Sequence, residues 1–226
     1  MKIKTLINRH KIKFDKFYNA ILQKKLDGSL LSKAMKYSSI NGGKRVRAFL
    51  VSESSKIVNL SEENAMIISS SVESIHAYSL IHDDLPCMDN DTIRRGKPST
   101  HIKFGESTAV LAGNSLLTMA FEILSYKGLN ISEKIKIDLI NKISESSGHL
   151  GVAGGQYLDL SYEHKKVSKK KIVEMEIKKT GKLFSFCCAA PLIIKNKSKN
   201  EIKTFENIGA NIGLLFQVAD DLIDHG

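Results

Sequence analysis

Proline stands at only three positions in 226 residues, Pro86, Pro98 and Pro191. Proline removes a hydrogen bond from a helix interior and clashes with the preceding turn, so a chain with so few breakers favours long helices. Strand signals are weak, because no Asn-Gly or Asp-Gly pair is flanked by alternating apolar residues. The length suffices for one domain with its own core. Apolar periodicity predicts eight or nine helices. The first runs from about Ile3 to Leu26, the second from Leu30 to Ile40, the third from Val46 to Val58. Ser61 reads as an N-cap with Glu62 and Glu63 in the first turn, and that helix runs to about Leu85, where Pro86 ends it. A polar loop over Cys87–Thr100 precedes a helix from about Glu106 to Tyr126. Ser132 caps the next. A glycine-rich break over Gly148–Gly155 follows, then one helix from Ser168 to Ala190 and a last one from Lys199. No repeat or linker divides the chain, which predicts one all-α domain over 1–226 with buried central helices.

The net charge of +10 comes mostly from lysine. The basic residues are spread along the chain, with no aromatic-interleaved recognition helix and no zinc-finger spacing, so nucleic acid is not an expected partner. The cysteines, Cys87, Cys187 and Cys188, are odd in number and two are adjacent. That is a poor disulfide framework and points to a reducing, cytoplasmic setting. The N-terminus carries charges throughout and lacks a signal-peptide core. The apolar stretch Leu183–Ile194 is too short to span a bilayer and contains Pro191, so no stable membrane insertion is expected.

Two aspartate clusters stand in apolar helical surroundings. Asp83, Asp84, Asp89 and Asp91 lie within one short stretch, and Asp220, Asp221 and Asp224 near the other end. Crowded carboxylates repel one another unless a cation sits there. Hard oxygen ligands suit Mg²⁺, which binds through one or two carboxylates together with substrate phosphate. Basic segments alternate with these clusters: Lys44-Arg45-Val46-Arg47 at a helix start, Arg94-Arg95-Gly96-Lys97, and Lys179-Thr180-Gly181. Helix N-termini and arginine forks favour phosphate oxygens, so the pattern suggests a diphosphate held by both Mg²⁺ and arginine. His76, Ser79 and Asp83 fall near one helix stripe and can line one cavity wall.

These residues together resemble the trans-prenyl diphosphate synthases, most closely the bacterial farnesyl diphosphate synthases. The most specific segment runs from Ser74 through His76, Tyr78, Ser79, Asp83 and Asp84 to Asp89, followed by Arg94-Arg95-Gly96-Lys97-Pro98. Gly155-Gln156 with Asp159-Leu160, Lys179-Thr180-Gly181, and Phe216-Gln217 before Asp220-Asp221 stand in the family's order. The resemblance implies an antiparallel helical bundle around a central substrate cavity. It implies a homodimer acting on isopentenyl diphosphate and allylic diphosphates with three Mg²⁺ ions. Asp83, Asp89 and Asp220 would bind metal, supported by Asp84 and Asp224. Lys44, Arg47, His76 and Arg95 would hold isopentenyl diphosphate. Arg94, Lys179, Thr180 and Gln217 would hold the allylic diphosphate, the last three at the reacting centre, with Phe216 against the homoallylic substrate. Tyr78 and Ser79 would set product length, with fifteen carbons favoured. The family continues for further helices beyond the position of Asp224. The last turn is therefore expected to be loosely held without metal, and a non-catalytic or degraded relative that binds diphosphates or acts as a subunit without turnover is the alternative reading.

Overall fold

Serine hydroxyls open two of the long helices as the sequence predicts. The amide of Asn64 donates to Ser61 Oγ at 3.3 Å, and that of Ile135 to Ser132 Oγ at 3.4 Å. Each satisfies one of the donors that a helix start leaves without a partner. The computed structural model describes residues 3–40 and 42–224. Over them the chain is all-α apart from one small hairpin: α1 Ile3–Lys25, α2 Leu30–Ile40, α3 Val46–Ile57, α4 Glu62–Asp83, β1 Ile93–Arg94, β2 Lys97–Pro98, α5 Thr100–Phe104, α6 Glu106–Ser125, α7 Glu133–Ser147, α8 Val152–Tyr162, α9 Lys169–Glu176, a π-helical turn π1 Ile177–Gly181, α10 Lys182–Ile194 and α11 Lys199–Asp224. The last turn continues as helix to Asp224, while the side chains of Asp221 and Asp224 fall outside the described residues.

Four details differ from the sequence reading. The loop after Pro86 contains an antiparallel hairpin in which Arg94 pairs with Lys97. Its two-residue turn, Arg95-Gly96, has φ of +55° and +73°, the left-handed geometry that tight hairpin turns require. Arginine in that place gives no turn signal. The five-residue α5 is too short to show a period. α8 starts at Val152, inside the expected glycine break. The helix expected over Ser168–Ala190 is divided by π1, and its last part runs through Pro191 to Ile194. Burial of Leu183, Phe184, Phe186 and Leu192 in α10 gains about 1.5–3 kcal/mol each, enough to offset a proline in the last turn.

The chain forms two compact units, Met1–Phe49 with Met66–Tyr126 and Leu50–Ala65 with Lys127–Gly226. In the first, α1 buries Phe14, Tyr18 and Leu22 along one stripe. The Tyr18 hydroxyl shares a 2.7 Å hydrogen bond with Ser74 of α4. The central helix α4 is buried on every side from Asn64 to Ile75. Its serines can sit there because they donate to backbone carbonyls: Ser71 to Ala120 O, Ser70 to Met66 O and Ser74 to Ser70 O, all at 2.8 Å. By length and composition α6 could cross a membrane, which the reading of Leu183–Ile194 passed over. Its Ala109, Ala112, Leu116, Ala120 and Leu124 are fully buried in the fold, as in a core helix.

In the second unit α10 packs on α11 and α7. Ser185 donates to Glu206 O at 2.7 Å, and the Glu206 carboxylate pairs with Lys142. The rings of Phe184 and Phe216 lie 5.7 Å apart.

Candidate active site

The first unit gathers a basic cradle. Gly42 and Gly43 carry the chain from α2 toward α3 at φ of +91° each. Lys44 is exposed, Arg45 turns inward, and Arg47 stands on the first turn of α3. A Cβ on Gly43 would lie 2.8 Å from the Arg95 guanidinium, so only glycine lets that side chain rest there. Arg95 donates to Gly42 O at 3.1 Å and to His76 Nε2 at 3.3 Å; Arg47 reaches the same nitrogen at 3.4 Å. A guanidinium can only donate, so Nε2 must accept and His76 is neutral with its proton on Nδ1. Burial pushes the His76 pKa well below 6.5, reinforced by Arg47, Arg95, Arg45 and Arg94. Burial and the neighbouring Arg45 likewise pull Arg95 down. Cations crowded this closely are relieved by an added anion.

A pH dependence follows. The folded pKa of His76 lies below its unfolded value of 6.5, so the unfolded chain binds more protons once the pH falls under that value. This stabilisation is present above pH 6.5 and is lost as the pH falls toward the folded pKa, at about 1.4 kcal/mol per pH unit. Thermal melts of the wild type and His76→Gln should show it. The difference in stability between the two should move by about 1 kcal/mol against the wild type from pH 6.5 to 5.5. A constant difference would mean that His76 titrates in the fold as it does in the unfolded chain.

Beside the cradle lies the first aspartate cluster. Asp84 is 2% exposed, and its Oδ1 accepts Arg94 Nε at 2.8 Å and Nη2 at 2.5 Å. Arg94 Nη2 also donates to Asp91 at 2.9 Å. Burial pushes the Asp84 pKa up, and Arg94 opposes it. Arg94, expected on a diphosphate, thus sits on the cluster's own carboxylates. Asp83 at the end of α4 is half-buried, and Asp89 in the following loop is exposed. The Asp89 amide donates to Asp83 O at 2.9 Å, closing the loop over Pro86. Tyr78 meets His82 edge to face at 5.0 Å, and burial, then Asp83, raises its pKa. Ser79 donates to His76 O at 3.0 Å.

Among the described residues no group of three or more His, Cys, Asp or Glu side chains converges as a metal cluster. A structural transition-metal site needs such a cluster, whereas Mg²⁺ takes one or two carboxylates and completes its shell with water and phosphate. The all-oxygen donors Asp83 and Asp89 fit the second case.

The second unit holds the other expected residues. Lys179 and Thr180 stand in π1, which widens the helix by one residue and is a form frequent at functional sites. Lys179 pairs with Asp159 of α8 at 2.5 Å, and Thr180 donates to Gln217 of α11 at 3.4 Å. Phe216 is half-buried against Phe184, and Asp220 is half-buried on α11. Sequence reasoning placed Asp159 in a motif without a role. It also passed over Glu73, whose signal is visible: a lone carboxylate within the apolar α4.

Fold and side chains thus define an all-α protein with a cation cradle and aspartate-rich helix ends. The sequence model of the family described as polyprenyl synthetase matches residues 28–225. The chain is 40% identical over 195 residues to the farnesyl diphosphate synthase of Bacillus subtilis, covering 86% of this chain and 66% of that protein. It is 40% identical over 220 residues to the farnesyl diphosphate synthase of Buchnera aphidicola subsp. Acyrthosiphon pisum, covering 96% of this chain and 77% of that one. A crystal structure of an FPP/GFPP synthase from Zymomonas mobilis superposes with a TM-score of 0.93 at 37% identity, over 99% of this chain and 83% of that chain. A geranyltransferase from Legionella pneumophila gives 0.92 at 34% identity, over 98% and 79%. The chain belongs to the polyprenyl synthetase family. It spans about two thirds of the length of the Bacillus subtilis relative.

Proposed function

We propose that the protein is a Mg²⁺-dependent prenyltransferase, acting as one prenyl synthase-like domain over 1–226. It condenses isopentenyl diphosphate with dimethylallyl or geranyl diphosphate, giving farnesyl diphosphate and diphosphate. The observation that carries this reading is the cradle in which Arg47 and Arg95 both point at the neutral ring of His76. It suits the diphosphate of the isopentenyl substrate, with Lys44 at its rim. Lys179, Thr180 and Gln217 are assigned to the allylic diphosphate, with Phe216 beside the homoallylic chain. Arg94 orders Asp84 and the loop beneath the cluster, and in the same reading reaches the allylic diphosphate. Asp83, Asp89 and Asp220 would hold Mg²⁺, with Asp84 and Asp224 in support. When bound, Mg²⁺ would stabilise the charge that builds on the departing diphosphate.

The allylic C–O bond breaks with its electron pair leaving on diphosphate. The isopentenyl double bond attacks the resulting allylic cation and forms the new C–C bond. A proton is then lost to the released diphosphate. Lysine and arginine hold both phosphate ends fixed through these events. Apolar side chains beside the reacting carbons would keep out water that would capture the cation. A homodimer in the cytoplasm belongs to the same proposal; the resemblance supports the dimer, and an odd cysteine count with two adjacent, a poor disulfide framework, supports the compartment.

An assay with isopentenyl and geranyl diphosphates tests this, with and without Mg²⁺. Mg²⁺-dependent farnesyl product is expected. Binding without turnover would favour the non-catalytic binder, and no binding would favour a subunit without substrate. Tyr78→Ala, which removes the ring beside His82, is expected to shift the product beyond fifteen carbons. Unchanged product length by radio-chromatography would take Tyr78 out of that role.

A further inference from the structure

The start of α3 breaks two local rules at once. Arg45 occupies the N-cap, since its carbonyl accepts from Phe49 N at 2.9 Å. That position favours a side-chain acceptor and an extended backbone. Arginine only donates, and here its φ is +54°. Both faults are met by one residue of another helix. Glu73 of α4, 2% exposed, accepts Arg45 Nη1 on Oε2 at 2.8 Å and the Ala48 amide on Oε1 at 3.3 Å. It therefore serves as the missing acceptor for the first turn of α3 and places a negative charge at that helix start, where the dipole favours it.

The consequence reaches the cradle. Arg47 lies between Arg45 and Ala48, so the two chain positions held by Glu73 bracket it, and Lys44 adjoins the first of them. On α4, Glu73 precedes His76 by three residues, one turn along the same helix. Glu73 thus ties the turn bearing Arg47 to the helix bearing His76. Asp15 of α1 also binds Arg45, through Nε at 2.8 Å, but touches neither Ala48 nor α4 in the bonds described.

We propose that Glu73 is the positioning residue of the isopentenyl diphosphate cradle, fixing Arg47 and His76 in register. This rests on the proposed reading of that cradle. Glu73→Gln keeps the shape and the acceptor for Ala48 N but turns an amide and loses a charge at Arg45. It is expected to weaken isopentenyl diphosphate about tenfold, read as Kd by calorimetry and as KM. The KM for geranyl diphosphate should stay within about twofold. Asp15→Asn removes the other ion pair of Arg45 and is expected to lower the melting temperature while leaving both substrates unaffected. Should Glu73→Gln fail to fold, Glu73→Asp retains the charge, retracts it by one methylene and reads the same effect. An unchanged isopentenyl KM, an equal loss for both substrates, or the same selective loss in Asp15→Asn would overturn the proposal. If the wild-type chain binds no isopentenyl diphosphate, the cradle reading itself fails, and this inference with it.

Discussion

Asp83→Ala and Asp89→Ala are each expected to lower kcat by about a hundred- to a thousandfold, with the melting temperature unchanged or slightly raised. The two effects share one cause. Asp83, Asp84, Asp89 and Asp91 crowd the end of α4. Their mutual repulsion costs stability in the metal-free chain, so removing one relieves the fold while it strips the donor set proposed for Mg²⁺. Asp84→Ala should behave differently. Its carboxylate is buried and takes two bonds from Arg94, so its loss leaves a half-buried guanidinium short of partners. A cost of about 1–3 kcal/mol is expected, which for a chain of this size lowers the melting temperature by roughly 2–4 °C per kcal/mol. Differential scanning fluorimetry without metal and a Mg²⁺-dependent condensation assay separate the cases. An Asp83→Ala protein that melts lower and still turns over would contradict both the metal role and the repulsion argument.

Much of the fold was legible because long helices announce themselves. Leu30–Ile40 matched to the residue, and Ser61 and Ser132 marked their helix starts through a hydroxyl on the third amide. What stayed hidden depends on contacts distant in sequence. A turn made by Arg95 at positive φ is paid for by its bonds to Gly42 and His76, and no local pattern records that. The π turn at Ile177–Gly181 continues the apolar spacing of its flanks, so periodicity reads straight through it. The helix expected to end near Ala190 runs on through Pro191 to Ile194 because the burial that sustains α10 there lies in the tertiary fold.

The candidate site divides in the same way. Residue types and order pointed to the cradle and to the aspartates, since carboxylates in apolar helices need a reason. Pairing was not legible. Arg94 and Asp84 were assigned to different ligands, yet in the fold they bind each other. Lys179, assigned to the allylic diphosphate, has Asp159 against it. Glu73 and Arg45 looked like ordinary charges until α4 proved to be buried on all sides.

Gly155→Ala is expected to disturb the second unit strongly. A Cβ on Gly155 would lie 2.1 Å from Lys179 N, 2.3 Å from its Cα and 2.6 Å from its Cβ. Main-chain atoms cannot swing aside as a rotamer can, and those of Lys179 are held in π1 between α9 and α10. The methyl must therefore push α8 away from π1. Overpacking of this kind costs about 1–3 kcal/mol, sometimes more. At the upper end the melting temperature falls by roughly 6–12 °C. Asp159 follows Gly155 by one turn on the same helix, so the displacement also draws its carboxylate off Lys179 Nζ. The KM for geranyl diphosphate should rise by about tenfold or more, while that for isopentenyl diphosphate changes little. Steady-state kinetics well below the melting temperature, with each substrate varied in turn, measure both. A lowered melting temperature with an unchanged geranyl KM would mean that π1 holds Lys179 without help from α8. Equal losses for both substrates would mean that the damage is general and that Lys179 has no special claim on the allylic diphosphate.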